Sequence, residues 1–283
     1  MSIINSFLRF LMQNNLENLN DEEKRIKILN SANSSLKPYI KYHSNIEKQS
    51  IQNPKIKKLI LMRLFSDEIW NIIVRNDFSH KKEFERRINI IGNAYHRMLI
   101  STDENICLFE KKYGLSIVSS LRMMLECLAI AKYIWDVGED GAIRFQDYAT
   151  KIGAKLSKKN PNEILKDKYT GDKTFLKPNG WILDKKFKNL HDLIKNLKNK
   201  DYNNLYKFSC EYVHASPYSI QKLVELNKEL QESPNAYFPL GFDNEINLNT
   251  LLIYDYTEFV INHFLPDSKE KEIYCAFAKL ITS

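Results

Sequence analysis

Apolar side chains recur at helical spacing along most of this chain. Between Ile56 and Val74 the apolar residues fall on one helical face: Leu59, Ile60, Leu64, Ile69 and Ile73. No segment alternates apolar and polar residues between hairpin turns, as a half-buried strand would. The low content of glycine and proline, 8 of each in 283 residues, also favours long helices. The pattern therefore predicts an all-α fold, a multi-helix bundle.

The boundaries of the other helices follow from the same spacing and from capping residues. Further helices are predicted over 3–13, 21–31, 80–100, 142–158, 188–198, 201–214, 245–264 and 268–281. The sequence STDE at Ser101–Glu104 is typical of a capping box, which predicts the start of a long helix. That helix is expected to reach Trp135, with a bend near Gly114, and to end at DVGEDG (136–141).

Three regions are expected from this arrangement of helices. Residues 1–90 form an N-terminal helical region, residues 91–220 form the core, and residues 221–283 complete the bundle. A helix break is predicted at 76–79, because Asp77 and Ser79 are both good N-cap residues. The longest irregular stretch is 159–187, and long loops in compact domains are often functional.

Positive charge is concentrated around this loop. The chain has 42 Lys and Arg against 35 Asp and Glu, a net charge of +7, and residues 151–200 alone hold 14 lysines against five acids. Lysines interleaved with aromatic residues suit single-stranded RNA, through phosphate contacts and base stacking. The candidate RNA-binding residues are Lys173, Lys177, Trp181, Lys185 and Lys186. Alternatively, Phe175 and Trp181 pin the loop to the core and the lysines are only solvated.

Several classes of protein are disfavoured by the sequence. The four cysteines stand singly, without a CxxC pair, which argues against a zinc site and indicates a reduced, cytoplasmic setting. No metal-ligand spacing such as HExxH occurs, so neither a metal nor another cofactor is expected. The most apolar stretch, Tyr113–Ala131, carries Arg122 and Glu126 at its centre, which favours a buried helix over a membrane span.

Arg122 and Glu126 form the first candidate site. They are the only charges between Lys112 and Lys132, and their i,i+4 spacing places them on one helical face. A buried charge must be paired, so they could pair with each other or with Arg144 or Asp147. Such a network either locks helices in register or forms an active site.

Ser209 and His214 contribute to the same candidate site. Both fall on the predicted helix 201–214, which ends before Pro217. A histidine near a helix C-terminus has its charged form stabilised by the helix dipole, and it can serve in acid–base chemistry. The alternative is a hydrogen-bonded core histidine without a chemical role.

An alternative site is formed by Arg75 and His80 in the sequence RNDFSH. An arginine and a histidine can cleave RNA without metal, because the histidine accepts the proton of the 2′-hydroxyl and the arginine stabilises the phosphorane. The structural alternative is that Arg75 binds the last carbonyls of one helix and His80 lies in the first turn of the next.

Two families resemble this sequence. Over about residues 90–220, the chain resembles an uncharacterised bacterial domain of unknown function. The resemblance rests on these residues in order: Arg122…Glu126, Arg144-Phe145…Tyr148, Trp181 and Tyr206…Ser209…His214…Ser216. This resemblance implies an all-helical domain with Arg122, Glu126, Ser209 and His214 as its polar centre. The motif Arg75…His80, together with the helical content of the chain, resembles the catalytic motif and the helical fold of ribonucleases of the HEPN superfamily.

The HEPN resemblance implies a function as well as a fold. It implies a metal-independent endoribonuclease that acts as a bacterial toxin or anti-phage defence effector, that forms a homodimer and that has an antitoxin or defence-system partner protein. The alternative is a non-catalytic helical module that binds a partner protein or a small ligand.

Overall fold

Helices supply all the regular secondary structure in the part of the chain that the computed structural model describes: residues 53–75, 85–111, 114–165, 168–213, 243–267 and 269–282. In chain order the helices are α1 Pro54–Arg75, α2 Glu85–Lys111, α3 Gly114–Leu156, α4 Pro161–Ile164, α5 Leu190–Asn196, α6 Lys200–Val213, α7 Asp243–Phe264 and α8 Lys269–Thr282. These ranges contain no strand. The predicted all-α fold is confirmed.

Asparagine residues begin three of these helices. The side-chain oxygen of Asn53 accepts a hydrogen bond from the backbone N–H of Lys55 at 2.9 Å. Asn189 accepts one from Asp192 at 3.1 Å, and Asn199 accepts one from Asp201 at 2.9 Å. Each bond satisfies a backbone donor that has no partner within the first helical turn. Some of the many asparagines in the chain therefore act as N-cap residues.

The helices that follow the long loop, and those near the C-terminus, lie where the sequence predicts them. Helices α5 and α6 correspond to the predicted 188–198 and 201–214, and α7 and α8 correspond to 245–264 and 268–281. Helix α1 confirms the prediction for Ile56–Val74. The predicted helices at 3–13 and 21–31, the break at 76–79 and the residues from 214 to 242 lie outside the described residues.

The predicted capping box at Ser101–Glu104 is wrong, because these residues lie inside α2. Their polar side chains are used for bonds between helices. The Nδ2 group of Asn249, on α7, donates to the Thr102 hydroxyl at 3.2 Å, and Asn105 Nδ2 donates to Asn249 Oδ1 at 2.6 Å. Residues that cap helices are the same types that bond neighbouring helices, so the letters alone do not separate the two roles.

Asp103, in the same stretch, pairs with α1. Arg63 Nε and Nη2 donate to its two carboxylate oxygens at 2.9 and 2.8 Å. This two-bond fork fixes both the distance and the orientation of the pair. The polar run that resembled a helix start therefore ties the middle of α2 to α1.

The predicted long helix from Ser101 to Trp135 is also wrong in its boundaries. It is two helices: α2 ends at Lys111 and α3 begins at Gly114. Within 136–141, where an end was predicted, α3 is interrupted only at Gly138 (φ 75°, ψ −161°) and then continues to Leu156. A positive φ is accessible to glycine at little cost. DVGEDG therefore kinks the chain instead of ending the helix, and the predicted helix 142–158 is the C-terminal part of α3.

The chain forms two compact units, each built from segments that are far apart in sequence. The described part of unit 1 contains α1, residues 97–124, residues 208–213, α7 and α8. The described part of unit 2 contains residues 85–96 and 125–207. Helices α2, α3 and α6 each contribute residues to both units.

Unit 1 has a core in which α1 packs against α7 and α8. The rings of Phe65 and Phe277 meet edge to face with centroids 4.9 Å apart. The hydroxyls of Ser66 and Thr257 are 2.7 Å apart and share a hydrogen bond inside this apolar interface. One hydroxyl donates to the other, and the accepting hydroxyl donates to a carbonyl of its own helix, that of Met62 or Ile253. Both buried hydroxyls therefore have a hydrogen-bond partner.

Unit 2 has an aromatic core that joins α3 to the long loop. Trp181, 6% exposed, packs edge to face on Tyr133 and Phe145, with centroids 5.6 and 5.0 Å apart. The Tyr133 hydroxyl accepts hydrogen bonds from the backbone N–H groups of Leu183 and Asp184 at 2.7 and 3.1 Å. The loop is therefore held to the helix by buried rings and by its own backbone.

Two further features are the state of the cysteines and the hydropathy of the helices. None of the four cysteines forms a disulfide. Among the described helices, none has a stretch long and apolar enough to cross a membrane.

Candidate functional site

Arg144, on α3, is the centre of a polar cluster in unit 2. Its side chain is 8% exposed. Its Nε group donates to the Gly180 carbonyl at 2.7 Å, and Nη1 donates to Asp172 Oδ2 at 2.7 Å. Nη2 donates to the Thr174 hydroxyl at 3.3 Å. One guanidinium thus binds three points of the loop, which uses the planar fork that distinguishes arginine from lysine.

Asp172 holds the loop in the shape that Arg144 binds. Its Oδ1 atom accepts hydrogen bonds from the backbone N–H groups of Thr174 and Phe175 at 2.9 and 3.0 Å. The Thr174 hydroxyl donates to Oδ1 as well. The bond from Arg144, then those from the Thr174 hydroxyl and the Phe175 N–H, hold the pKa of this carboxyl well below its usual range. The carboxylate stays charged across the physiological range and joins the guanidinium to the turn.

A second acid on α3, Asp147, binds the part of the loop just before that turn. Its Oδ2 atom accepts hydrogen bonds from Lys168 Nζ and from the Tyr169 hydroxyl, both at 2.7 Å. Burial, and then the bond to the negatively charged Asp147, raise the pKa of Tyr169 far above its usual value. Tyr169 is therefore a permanent donor here and has no role as a base.

Lys151 lies two turns after Arg144 and on the same face of α3. Its side chain is 2% exposed, and Nζ donates to the Phe175 carbonyl at 2.6 Å. Nζ also lies 4.4 Å from the ring centroid of Tyr148 and 5.1 Å from that of Phe175. Burial, with the nearby positive charges of Lys155 and Arg144, lowers the pKa of Lys151.

Sequence reasoning did not select Lys151 or Asp172. The helical spacing of Arg144, Tyr148 and Lys151, at i, i+4 and i+7, does place the three on one face. However, Lys151 is one of 14 lysines in its stretch, and nothing local separates it from exposed neighbours such as Lys155. Only the loop that covers it makes it a buried cation.

A shallow basic groove is formed at the junction of α5 and α6, also within unit 2. We call it the lysine groove; it has a volume of about 490 Å³ and is lined by Lys195, Lys198, Lys200, Asn203, Asn204 and Lys207. All four lysines are exposed. The six lining residues include no acid, so the groove presents four ammonium groups and two amides to solvent.

His191 lies close to this groove. Its ring is half-buried and stacks on Tyr206, with centroids 5.1 Å apart and planes inclined by 20°. Burial, Lys195 and Lys207 lower the pKa of His191, and Asp192 opposes them in part. The imidazole is therefore neutral near pH 7. The positive charge of the groove comes from the lysines alone.

The four residues of the first candidate site are placed as follows. Arg122 and Glu126 lie one turn apart on α3, as predicted, and both side chains are half-buried. Ser209 lies on α6 and is completely buried. His214 is outside the described residues. The catalytic assignment of these four residues therefore stays a prediction.

The alternative site is described only in part. Arg75 is the last residue of α1, a position that agrees with a cation at a helix C-terminus. His80 lies outside the described residues. The assignment of this pair to catalysis also stays a prediction.

The five predicted RNA-binding residues fall into two groups. Lys173, Lys177, Lys185 and Lys186 are exposed on the loop. Trp181 is buried among Tyr133 and Phe145, so in this structure its indole offers no face on which a base could stack. The expectation of stacking on Trp181 is therefore corrected, because the ring is needed to fill the core of unit 2.

Within the described residues, no group of three or more His, Cys, Asp and Glu side chains is placed to hold a metal ion.

Comparison with known proteins identifies a family. The model of a family of unknown function, DUF5677, matches residues 88–232, which is more than half of the 283 residues. The match includes the Arg144 cluster, the lysine groove and the four residues of the first candidate site, whereas Arg75 and His80 precede it. No curated protein and no solved structure matches the chain. Membership of a family of unknown function, expected from the resemblance over residues 90–220, is thus confirmed, and the chain belongs to the DUF5677 family.

Proposed function

We propose that this protein is a HEPN-like, metal-independent endoribonuclease that acts as a bacterial toxin or anti-phage defence effector. The observation that supports this proposal is the lysine groove, because four exposed lysines with no acid among the lining residues suit a polyanion. The two amides of the groove, from Asn203 and Asn204, can add hydrogen bonds to phosphates or bases.

The exposed loop lysines extend the proposed RNA surface. Lys173, Lys177, Lys185 and Lys186 all belong to unit 2, as the groove does. Phosphate contacts of this kind give affinity without sequence preference, and released counterions make that affinity dependent on salt. RNA is therefore the proposed substrate, and this surface is proposed to hold its backbone.

In the proposed reaction, His214 accepts the proton of the 2′-hydroxyl, the 2′-oxygen attacks phosphorus, and the bond to the 5′-oxygen breaks. The 5′-oxygen leaves as a hydroxyl with a proton from water, and a 2′,3′-cyclic phosphate remains. Arg122 holds the phosphate and stabilises the charge of the phosphorane, and Glu126 and Ser209 complete the polar centre. The pair Arg75 and His80 is the alternative for the same two roles. We propose in addition a cytoplasmic homodimer with an antitoxin or defence-system partner protein.

Cleavage of labelled single-stranded RNA in EDTA by the purified full-length protein is the test. We expect cleavage by the wild-type protein and its loss in His214→Ala or in His80→Ala, because one histidine is the proposed base. His96→Ala is the control, since His96 is exposed on α2 and belongs to neither site. Cleavage that survives both His214→Ala and His80→Ala, or no cleavage by the wild type, contradicts the proposal.

RNA affinity tests the role of the lysine groove separately. Replacing Lys195, Lys198, Lys200 and Lys207 with alanine should weaken binding and reduce the slope of log affinity against log salt by about 3, given about 0.7 released counterions per contact with a single strand. The matched comparison removes the same charge from four exposed lysines outside the proposed RNA surface: Lys158, Lys159, Lys188 and Lys279. If both variants lose affinity equally, net charge is responsible and the groove has no special role.

A further inference from the structure

Unit 2 also contains a cavity that the proposed ribonuclease reaction does not use. It has a volume of about 210 Å³ and lies between the C-terminal part of α3, helix α4 and the loop. Its walls are mostly apolar or aromatic: Pro161, Leu165, Tyr169, Phe175 and Leu176. Its polar lining comes chiefly from Lys151, Lys155 and Asn160.

Lys151 is the unusual member of this lining, because it is a buried cation without a counter-ion. Its side chain is 2% exposed, and its hydrogen bond goes to the neutral carbonyl of Phe175. Among the described residues, no carboxylate forms an ion pair with it. A buried charge that has no opposite charge beside it is costly in free energy.

Two acids of unit 2 that bind the same loop are already paired with other cations. Asp172 pairs with Arg144 at 2.7 Å, and Asp147 pairs with Lys168 at 2.7 Å. The remaining support for the ammonium comes from the rings of Tyr148 and Phe175. Lys155, the second lysine of the cavity, adds further positive charge beside it. The cavity therefore carries two positive charges that the described side chains do not neutralise.

We propose that this cavity binds a small organic carboxylate with a compact apolar body. The ligand's carboxylate binds the Lys151 ammonium, which has given one of its three N–H groups to Phe175 and keeps two that match the two carboxylate oxygens. The body of the ligand packs against Leu165, Leu176 and Pro161.

The size and charge of the site limit the ligand. Cavities for drug-sized ligands measure roughly 300–1,000 Å³, so this cavity of about 210 Å³ fits a smaller molecule. The site has lysine ammonium groups as its charges and no arginine fork open to the cavity, because the guanidinium of Arg144 is taken by Asp172, Thr174 and Gly180. The proposal does not depend on ribonuclease activity.

Binding should also take up protons. Burial and the neighbouring positive charges lower the pKa of Lys151 in the protein without ligand. A bound carboxylate raises that pKa again, so binding takes up protons at any pH at which part of Lys151 is deprotonated in the free protein. A purely apolar occupant of the same cavity would not produce this uptake.

Titration calorimetry of the full-length protein with benzoate, benzamide and acetate tests the proposal. Benzoate should bind with a Kd of about 1 mM or lower. Benzamide, which has the same ring without the charge, and acetate, which has the charge without the ring, should each bind at least tenfold more weakly, a difference of about 1.4 kcal/mol. Proton uptake is read from the heats of benzoate binding in two buffers of different ionisation enthalpy.

Two variants and one control complete the experiment. Lys151→Met should abolish benzoate binding, whereas Lys159→Met should not, because Lys159 is exposed and does not line the cavity. Leu176→Asp should weaken benzoate binding at least tenfold, because it places a negative charge at an exposed edge of the cavity. If Lys151→Met does not fold, Leu176→Asp tests the proposal in its place. Equal binding of benzoate and benzamide, no benzoate binding, or unchanged binding in the folded variants overturns the proposal.

Discussion

Replacing Arg144 with alanine is expected to lower the free energy of unfolding by about 3–5 kcal/mol, the usual effect of breaking a buried ion pair by removing one partner. The reason is that one guanidinium binds the Gly180 carbonyl, the Asp172 carboxylate and the Thr174 hydroxyl. Without it, the carbonyl of the buried Gly180 loses this donor, and Oδ2 of the charged Asp172 loses its cationic partner. Urea unfolding followed by tryptophan fluorescence measures the loss.

Two controls show whether the effect comes from the fork of Arg144. Arg144→Lys keeps the charge but cannot reach three loop acceptors, so it should recover only part of the stability. Arg97→Ala removes an arginine that is exposed on α2 and should change stability by about 0.5 kcal/mol or less. A cost of Arg144→Ala that is no larger than that of Arg97→Ala would show that the loop does not depend on this cluster.

The pH dependence of stability gives an independent measure of the Arg144–Asp172 pair. The folded-state pKa of Asp172 lies below its ordinary value of 3.8, so its contribution is fully present above that value and is lost as the pH falls through the folded-state pKa. Asp172→Asn should be less stable than the wild type at pH 7, and it should lose less stability on acidification. An identical acid dependence in the two proteins would contradict the ion pair.

Gly180→Ala is the second change with a large expected effect. A methyl group at Gly180 would lie 2.4 Å from the Phe175 carbonyl oxygen, 2.5 Å from the Thr174 carbonyl oxygen and 2.7 Å from the Phe175 carbonyl carbon. All three are backbone atoms of the turn that Asp172 and Arg144 hold, so they cannot move aside without breaking those bonds. We expect a loss of at least about 1–3 kcal/mol, the usual range for overpacking.

Gly153→Ala is a matched control with the opposite sign. Gly153 lies within α3 in the same unit, and a methyl group there would contact nothing within 4 Å. Alanine in a helix interior is better than glycine by roughly 0.5–1 kcal/mol, so this variant should gain stability. Urea unfolding measures the stability of both variants. If Gly180→Ala and Gly153→Ala change the free energy of unfolding in the same direction, the close contacts at Gly180 do not explain the effect.

The helical pattern was readable from the sequence because a helix is a local structure. Apolar residues at i, i+3 and i+4 form one face whatever the rest of the chain does, and α1, α5, α6, α7 and α8 lie close to their predicted positions. The same local geometry places Arg122 and Glu126 one turn apart on α3. The family resemblance rested on sparse residues in a fixed order along the chain, which is also a property of the sequence alone.

Predictions of where helices begin and end failed where a polar residue has a distant partner. Thr102 and Asp103 belonged to a predicted helix start, but their side chains bond Asn249 and Arg63 on other helices. A glycine-rich run resembled a helix end, but only Gly138 leaves the helical conformation. In both cases the residue types suit the predicted role, but the tertiary structure gives them a different one.

The sequence by itself determined that the protein is helical and that its positive charge is concentrated near residues 151–200, because periodicity and composition are properties of the chain alone. Only the tertiary structure decided which of those lysines is a buried cation and which line an open groove. Lys151 is buried because a loop some 20 to 30 residues later covers it, with the Phe175 carbonyl 2.6 Å from its ammonium. Lys195 and Lys207 are exposed because no segment among the described residues covers them. Burial depends on contacts between distant segments, and a count of lysines carries no information about those contacts.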